Sequence, residues 1–478
     1  MCNFTLQLLK SFTATAIGLH GPLSREDKEL LKDFPTDVRT VRRLFDLDPP
    51  ITLYAACPTC SMTYAPTFDA NSGDIPIYPR RCSHRAWPTS APCNARLTKG
   101  GVREGESVRV PIRPFPVQDF DVFVGRMLSQ PGVEAAIRAS LEVAKSGVLC
   151  DIAESERVRE LYARWKMERH TDDDDDLLLL WSCSVDWFNP LGNKAAGKSV
   201  SCGSIAMLCL LLPPSLRIKP AFVYVNGIIP HPEPSHDQIN HFTRPIVSTL
   251  EHNWTHGVWY SRTYECPGGR RVYSAHATDV SDLPGSRKTS GQHSHSAHRF
   301  CVLCDLTRPD INNLDISTWK LRVKEEIYRQ AVAWRDAPNG ATRKRLYKQN
   351  GVRWSEFWRL PYWDITKSVI IDGMHSLFLR IVRHHVRVIL GLDLPADDDD
   401  DSYAPVVDQS MEKALSKLDK KLTTSCTAKV VEGFGKAVLW EACRRHGVDM
   451  SGMTYKQMKK RTLAEALLVG GRADACGR

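Results

Sequence analysis

The segment LLLLWSCSVDWFNPLGN, residues 177–193, constrains the fold of this chain more than any other. It is a continuous apolar run that ends in a single acid, Asp186. A run of this length and kind reads as a strand buried on both faces, whose C-terminal end opens on a site. It is too short to cross a bilayer, as is the other long apolar stretch, 205–212, since a membrane helix needs about 18 or more such residues. The N-terminus MCNFTLQLLK has no basic leader and Lys10 interrupts its apolar run, so neither a signal peptide nor a membrane partner is expected.

Turn signals after Asp186 divide the next segments, VSCGSIAMLCLLLPP and AFVYVNGIIP, into two further strands, which predicts a meander. Residues 237–250 carry a helical pattern. Strand character then returns through GVWYSRTYECPGGRRVYSAHATDVSD, which ends in Asp279 and Asp282 before Pro284 and Gly285. A third acid, Asp372, follows Ile370 and Ile371 and precedes an amphipathic helix. Leu377, Phe378, Ile381 and Val382 are expected to pack that helix on the sheet. Strands, helix, strand and helices with acids at the junctions is the plan of an RNase H-like α/β fold: a mixed sheet flanked by helices. Three carboxylates at strand ends suit a pair of divalent cations that activate a hydroxyl and steady a leaving oxygen at phosphorus. Asp279 is expected to be a surface residue at the strand end.

Fifteen cysteines are many for a chain without a secretory leader. Two CxxC pairs, Cys57/Cys60 and Cys301/Cys304, point to zinc or redox work rather than structural disulfides. Cys82 with Cys93, or with His84, could complete a tetrahedral zinc ribbon, with Tyr64, Tyr78 and Trp87 packing its thin core. Cys183 lies in an apolar run with no basic neighbour to activate it as a nucleophile. Trp354, Trp358 and Trp363 suit packing better than base stacking.

Lys+Arg total 64 against 55 Asp+Glu, a net charge of +9. Setting aside the acidic runs 172–176 and 397–401, the remainder carries +19, which suits a polyanion partner. Ser24 and Asp27 predict a capping box, residues 118–145 two helices split at Gln130-Pro131-Gly132, and 103–116 a connector. The expected layout is a helical lead (1–50), a zinc-ribbon-like module (51–100) and a helical connector (101–170). The core (177–393) follows, with an insertion at about 293–365, and then an acidic linker and basic helical tail (394–478). The segment KQMKKR in that tail suits DNA binding or a nuclear address.

Six blocks, in order, resemble the CACTA-type (En/Spm-like) DNA transposases, notably copies abundant in mushroom-forming fungi. VDWFNPLGN is similar to the family's D-x-F-N-P-x-G. LLPPSLRIKPAFVYVNGIIPHPEPSHDQINHFTRPIV is similar to its L-P-P-x-L-R-x-K-P, G-I-I-P and R-P blocks. SDLPGSRKTSG resembles the block of the second acid, FCVLCDLTR the CxxC insert, and VRWSEFWRLPYWD and IIDGMHSLFLR the last two. The likeness spans about residues 50–393. It implies a DDE/D transposase that cuts and rejoins DNA at transposon terminal repeats with Mg²⁺ or Mn²⁺, acts in the nucleus, is open to homo-oligomer formation, and carries structural Zn²⁺. Asp186 and Asp282 carry over as the first and second acids. Plant members place a glutamate just after the Met-His pair. Here Met374-His375-Ser376-Leu377 has none, so Asp372 is the third acid on this resemblance, with Glu356 and Asp364 as rivals. Cys57, Cys60, Cys82 and Cys93 fit the family's zinc-like segment. Cys301 and Cys304 with His298 or His375 would form a second zinc site, and Arg287 and Lys288 would meet DNA phosphates. The alternative is a catalytically decayed relic that keeps DNA and zinc binding.

Overall fold

The computed structural model describes residues 2–18, 21–44, 48–69, 75–103, 106–143, 151–169, 175–191, 200–294, 296–392, 409–422, 427–448 and 458–473. The linker run 397–401, most of the run 172–176, part of KQMKKR and part of the stretch after VDWFNPL lie outside them. The chain divides into one compact unit of Met1–Pro190 with Ser201–Asp372 and a second of Leu191–Val200 with Gly373–Arg478.

The first unit is built on a nine-stranded mixed sheet. Its strands are β1 (Ile51–Ala56), β2 (Thr63–Tyr64), β5 (Pro114–Gln118), β6 (Leu177–Phe188), β7 (Cys202–Cys209), β8 (Val223–Ile229), β9 (Val258–Tyr260), β10 (Arg270–Ser281) and β11 (Val369–Ile371), while β3 (Thr98–Arg103) and β4 (Glu106–Pro111) form a separate hairpin. β6, β7 and β8 form the expected antiparallel meander. β10 lies parallel to β6 on its other side, and β11 parallel to β10. Numbered within this core by chain order, the strands therefore stand 3-2-1-4-5 across the sheet. The helix Ile239–Thr255 connects β8 to the β9–β10 hairpin.

β6 is central because its residues can be buried on both faces. Leu177 to Trp181 are each at most 3% exposed. Burying one such side chain stabilises the fold by about 1.5–3 kcal/mol, so Leu180→Asp would break this strand. Phe120 and Phe123, on the helix Phe120–Leu128, meet Trp181 edge-on.

The segment read as a connector is part of the sheet. β5 pairs with β1 over five positions and touches β8 where Val117 meets Gly227. A Cβ at Gly227 would strike the Pro116 carbonyl and stand 2.8 Å from the Phe115 ring, so glycine permits this crossing. The zinc-ribbon segment is thereby hydrogen-bonded into the main sheet through β1 and β2. The Ser24–Asp27 capping box and the two helices Phe120–Leu128 and Val133–Val143 form as expected.

In the second unit, the helices Gln409–Leu422, Ala428–Val431, Lys436–Arg445 and Lys460–Ala473 enclose Leu415, Leu418, Leu439, Ala442, Leu463 and Leu467. The stretch 374–389 is helical and belongs to the second unit. Leu377, Phe378, Ile381 and Val382 are 40–63% exposed.

Candidate metal centres

Cys57, Cys60, Cys82 and Cys93 bring their sulfurs within 4.8 Å of one another, the one group of three or more metal-ligating side chains this close among the described residues. Two similar loops build it. In each, the residue after the second cysteine has a positive φ, 62° at Ser61 and 57° at Asn94. Ser61 N–H donates to the Cys57 carbonyl and Asn94 N–H to that of Cys82. The N–H groups of Cys57 and Cys82 return to the carbonyls of Met62 and Ala95. The Cys57 sulfur accepts from the N–H groups of Thr59 and Cys60, Cys60 from Met62, and Cys82 from His84. The Cys60 side chain leads in pulling the Cys57 thiol down to about 4, while the bond to Cys57 pushes the Cys60 thiol up and burial pushes up that of Cys82. This donor set could hold a metal such as zinc.

Beneath the cluster lies Arg113, 4% exposed. Its guanidinium donates to the Cys57 carbonyl (3.3 Å), Ser61 Oγ (2.9 Å), and the carbonyls of Pro230 (2.6 Å), His231 (3.1 Å) and Pro232 (2.5 Å). It has no carboxylate partner among the described residues; burial lowers it to about 10, and the Cys57 sulfur is the group that acts against this. Sequence reasoning missed this residue, because nothing local distinguishes a buried arginine from a solvated one.

The second cysteine site is not assembled. Cys304 N–H points at the Cys301 sulfur at 3.4 Å, but among the described residues neither His298 nor any other ligand joins the pair within 4.8 Å. His298 instead offers its backbone carbonyl to Arg308. His293 is fully buried, with Nδ1 3.0 Å from the Gly351 carbonyl.

The three aspartates fall on one row of the sheet. Asp279 pairs with Cys183 between β10 and β6, and three residues further along each strand bring Asp282 level with Asp186. Ser281 pairs with Ile371 between β10 and β11, and one more residue brings Asp372 level with Asp282. Adjacent strands stand about 4.8 Å apart, so the row has Asp282 at its middle. The three carboxylates do not close to within 4.8 Å of one another. Asp186 is exposed and the other two are half-buried. Asp282 caps the helix Leu283–Thr289, accepting from Gly285 N–H at 2.7 Å. Beside Asp186, Trp187 lies against Gly203, where a Cβ would come within 2.6 Å of its ring.

The rivals for the third acid are employed elsewhere. Glu356 is 5% exposed and binds Arg244 at 3.1 Å and Arg359 at 3.2 Å. Asp364 caps the turn at Thr366, taking its N–H at 3.0 Å and its hydroxyl at 2.7 Å. Asp279 is also not a surface residue: it is fully buried, and desolvation raises its carboxyl to about 7.

Lys288 is 6% exposed, pairs with Glu233 at 2.6 Å and sits 4.2 Å over the Trp187 ring. Arg287 donates to the Phe300 carbonyl at 3.2 Å. Lys288 thus spends its charge on Glu233, whereas two nitrogens of the Arg287 guanidinium, Nε and Nη1, have no hydrogen-bond partner among the described residues. Trp358 and Trp363 are buried, and Trp354 carries Arg335 over its ring at 4.4 Å. Cys183 is buried and its thiol is pushed up by desolvation, which removes it as a nucleophile. No protein-family model matches the chain, and no curated protein matches it.

Proposed function

We propose that this chain is a DNA transposase-like enzyme in which Asp186, Asp282 and Asp372 hold Mg²⁺ or Mn²⁺ for phosphodiester cleavage and strand transfer. The observation that carries this is the row of three acids at the C-terminal ends of the adjacent parallel strands β6, β10 and β11. The 3-2-1-4-5 strand order and the directions of its strands support an RNase H-like core. Divalent cations bound there would polarise the phosphate and offset charge on the attacking and leaving oxygens. The chain's own part is to hold three carboxylates on a rigid sheet edge open to a duplex. The motif resemblance to CACTA-type transposases adds transposon ends as substrate and the nucleus as the place of action.

A second function, a decayed relic that binds DNA and zinc without cutting, is favoured by one observation. Lys288 is already committed to Glu233 rather than open to a phosphate. Plasmid nicking in Mg²⁺ or Mn²⁺ separates the two. Asp186→Asn should reduce nicking by at least about a hundredfold, as expected when a metal-binding carboxylate is lost, while retention of DNA on a gel is unchanged. Equal nicking by wild type and variant would refute the role of Asp186. Retention without nicking by the wild type selects the relic.

A further inference from the structure

Asp279 is a buried acid without a cation. It is fully buried in β10, the strand that leads to Asp282 and lies between those of Asp186 and Asp372, and among the described residues it forms no ion pair. Its partners are hydroxyls. Ser281 Oγ donates to Oδ1 at 3.1 Å, and Thr289 Oγ1 donates to Oδ2. Each hydroxyl reaches one end of the candidate site. Ser281 Oγ accepts the N–H of Val185, the residue before Asp186, at 2.9 Å. Thr289 closes the helix that Asp282 begins, and its own carbonyl is held by Ser355 Oγ at 2.6 Å. Ser286, in the same helix, donates its hydroxyl to the Ser281 carbonyl at 3.2 Å.

A carboxylate is the side chain that makes this arrangement one-way. Ionised, it only accepts, and both hydroxyls then turn their protons towards it. With its proton committed, Ser281 Oγ presents a lone pair to Val185. Without Asp279, Thr289 has two carbonyls of its own helix to turn to, Gly285 and Ser286, both at 3.1 Å. The tie between β6 and the Asp282 helix would then loosen. A buried carboxylate without a cation is costly unless hydrogen-bonded, and a valine or leucine would pack β10 without that cost.

We propose that Asp279 is a positioning residue: through Ser281 and Thr289 it sets the spacing between Asp186 and Asp282. This inference rests on the assignment of those two acids as metal ligands. It adds that their separation is fixed from beneath by a third acid that touches neither metal nor DNA.

The test is Mn²⁺ binding to the full chain without DNA, titrated by electron paramagnetic resonance, beside the melting temperature of each protein. Asp279→Asn and Ser281→Ala should each raise the half-saturating Mn²⁺ concentration about tenfold, the usual effect of losing a group that orients a metal ligand. Because both act through one chain of bonds, the double variant should bind no worse than the weaker single one. Ser281→Thr, which keeps the hydroxyl, should restore binding. Gel retention of DNA should not change in any of them. An unchanged half-saturation in a folded Ser281→Ala protein overturns the proposal, whatever happens to its melting temperature, and this variant serves if Asp279→Asn does not fold. Wild-type Mn²⁺ binding that survives Asp186→Asn also overturns it, and in that case the metal-site assignment falls as well.

Discussion

Replacing Arg113 by methionine tests whether the cysteine cluster and the main sheet form one structure. The substitution keeps the aliphatic stem and removes the guanidinium. It takes a donor from five acceptors: the carbonyls of Pro230, His231 and Pro232 and the hydroxyl of Ser61, and the Cys57 carbonyl, which keeps the Ser61 N–H. Hydrogen bonds from a charged donor contribute about 1.5–3 kcal/mol each. Against them stands the desolvation of a cation that is 4% exposed, a cost of several kcal/mol that disappears with the charge. The balance is a loss of about 3–5 kcal/mol, the range found when one member of a buried charged network is removed. Urea unfolding monitored by tryptophan fluorescence reads this directly. A chelator competition on the same protein should show zinc held about tenfold more weakly, since a positive charge that offsets the thiolates is gone. Arg113→Lys should recover only part of both losses, because one ammonium cannot serve five acceptors spread along two loops. A stability loss below about 1 kcal/mol, the size of one ordinary hydrogen bond, would refute the reasoning. So would an unaltered zinc affinity in a destabilised variant, which would leave Arg113 as a brace for the 230–232 loop alone.

Atomic absorption on reduced protein should find one zinc per chain rather than two, because the Cys301/Cys304 pair has no third ligand among the described residues, and Cys57→Ser should remove it. Glu356→Gln should lower stability by about 2–4 kcal/mol through its weakened bonds to Arg244 and Arg359, yet the folded fraction should nick DNA at the wild-type rate; a folded but inactive variant would move the third acid to Glu356. His276 is buried between the rings of Phe357 and Trp363, and burial lowers it to about 3. The unfolded chain takes up that proton near pH 6.5, so this histidine subtracts stability as the pH falls from about 6.5 towards 3, by up to about 1.4 kcal/mol per unit. His276→Phe should therefore flatten the acid limb of the unfolding curve, and an unchanged slope would mean that the histidine is charged in the fold.

What was legible in the sequence was local. The capping box at Ser24, the break at Gln130-Pro131-Gly132 and the meander from Leu177 to Ile229 each follow from residues close in the chain. The incorporation of β1 and β5 into the sheet was not, because PFPVQ has two prolines and pairs with partners more than fifty residues away. Asp279 was misjudged for a different reason. It was read as the solvent end of a strand, but a central strand with parallel neighbours is covered on both faces. Asp279 lies within β10 and is fully buried, whereas Asp282 lies one residue past its end, caps the helix Leu283–Thr289 and is half-buried.

The third acid shows how structure adds to a motif. By sequence alone, Asp372, Glu356 and Asp364 are three carboxylates near a strand end. Their places in the fold separate them. Glu356 is enclosed and holds two arginines, so withdrawing it to bind a cation would leave Arg244 without its acid and Arg359 with Glu251 alone. Asp364 spends one oxygen on both donors of Thr366 and shapes the turn into β11. Asp372 lies one residue beyond that strand, level with Asp282, where the parallel register of β10 and β11 delivers it. A metal-binding carboxylate needs oxygens that can be turned to the ion at little structural cost, and a rigid element that returns it to the same place. Of the three, Asp372 alone combines the strand register with the row shared by Asp186 and Asp282, and its half-buried position at the sheet edge leaves it accessible to a cation from solvent.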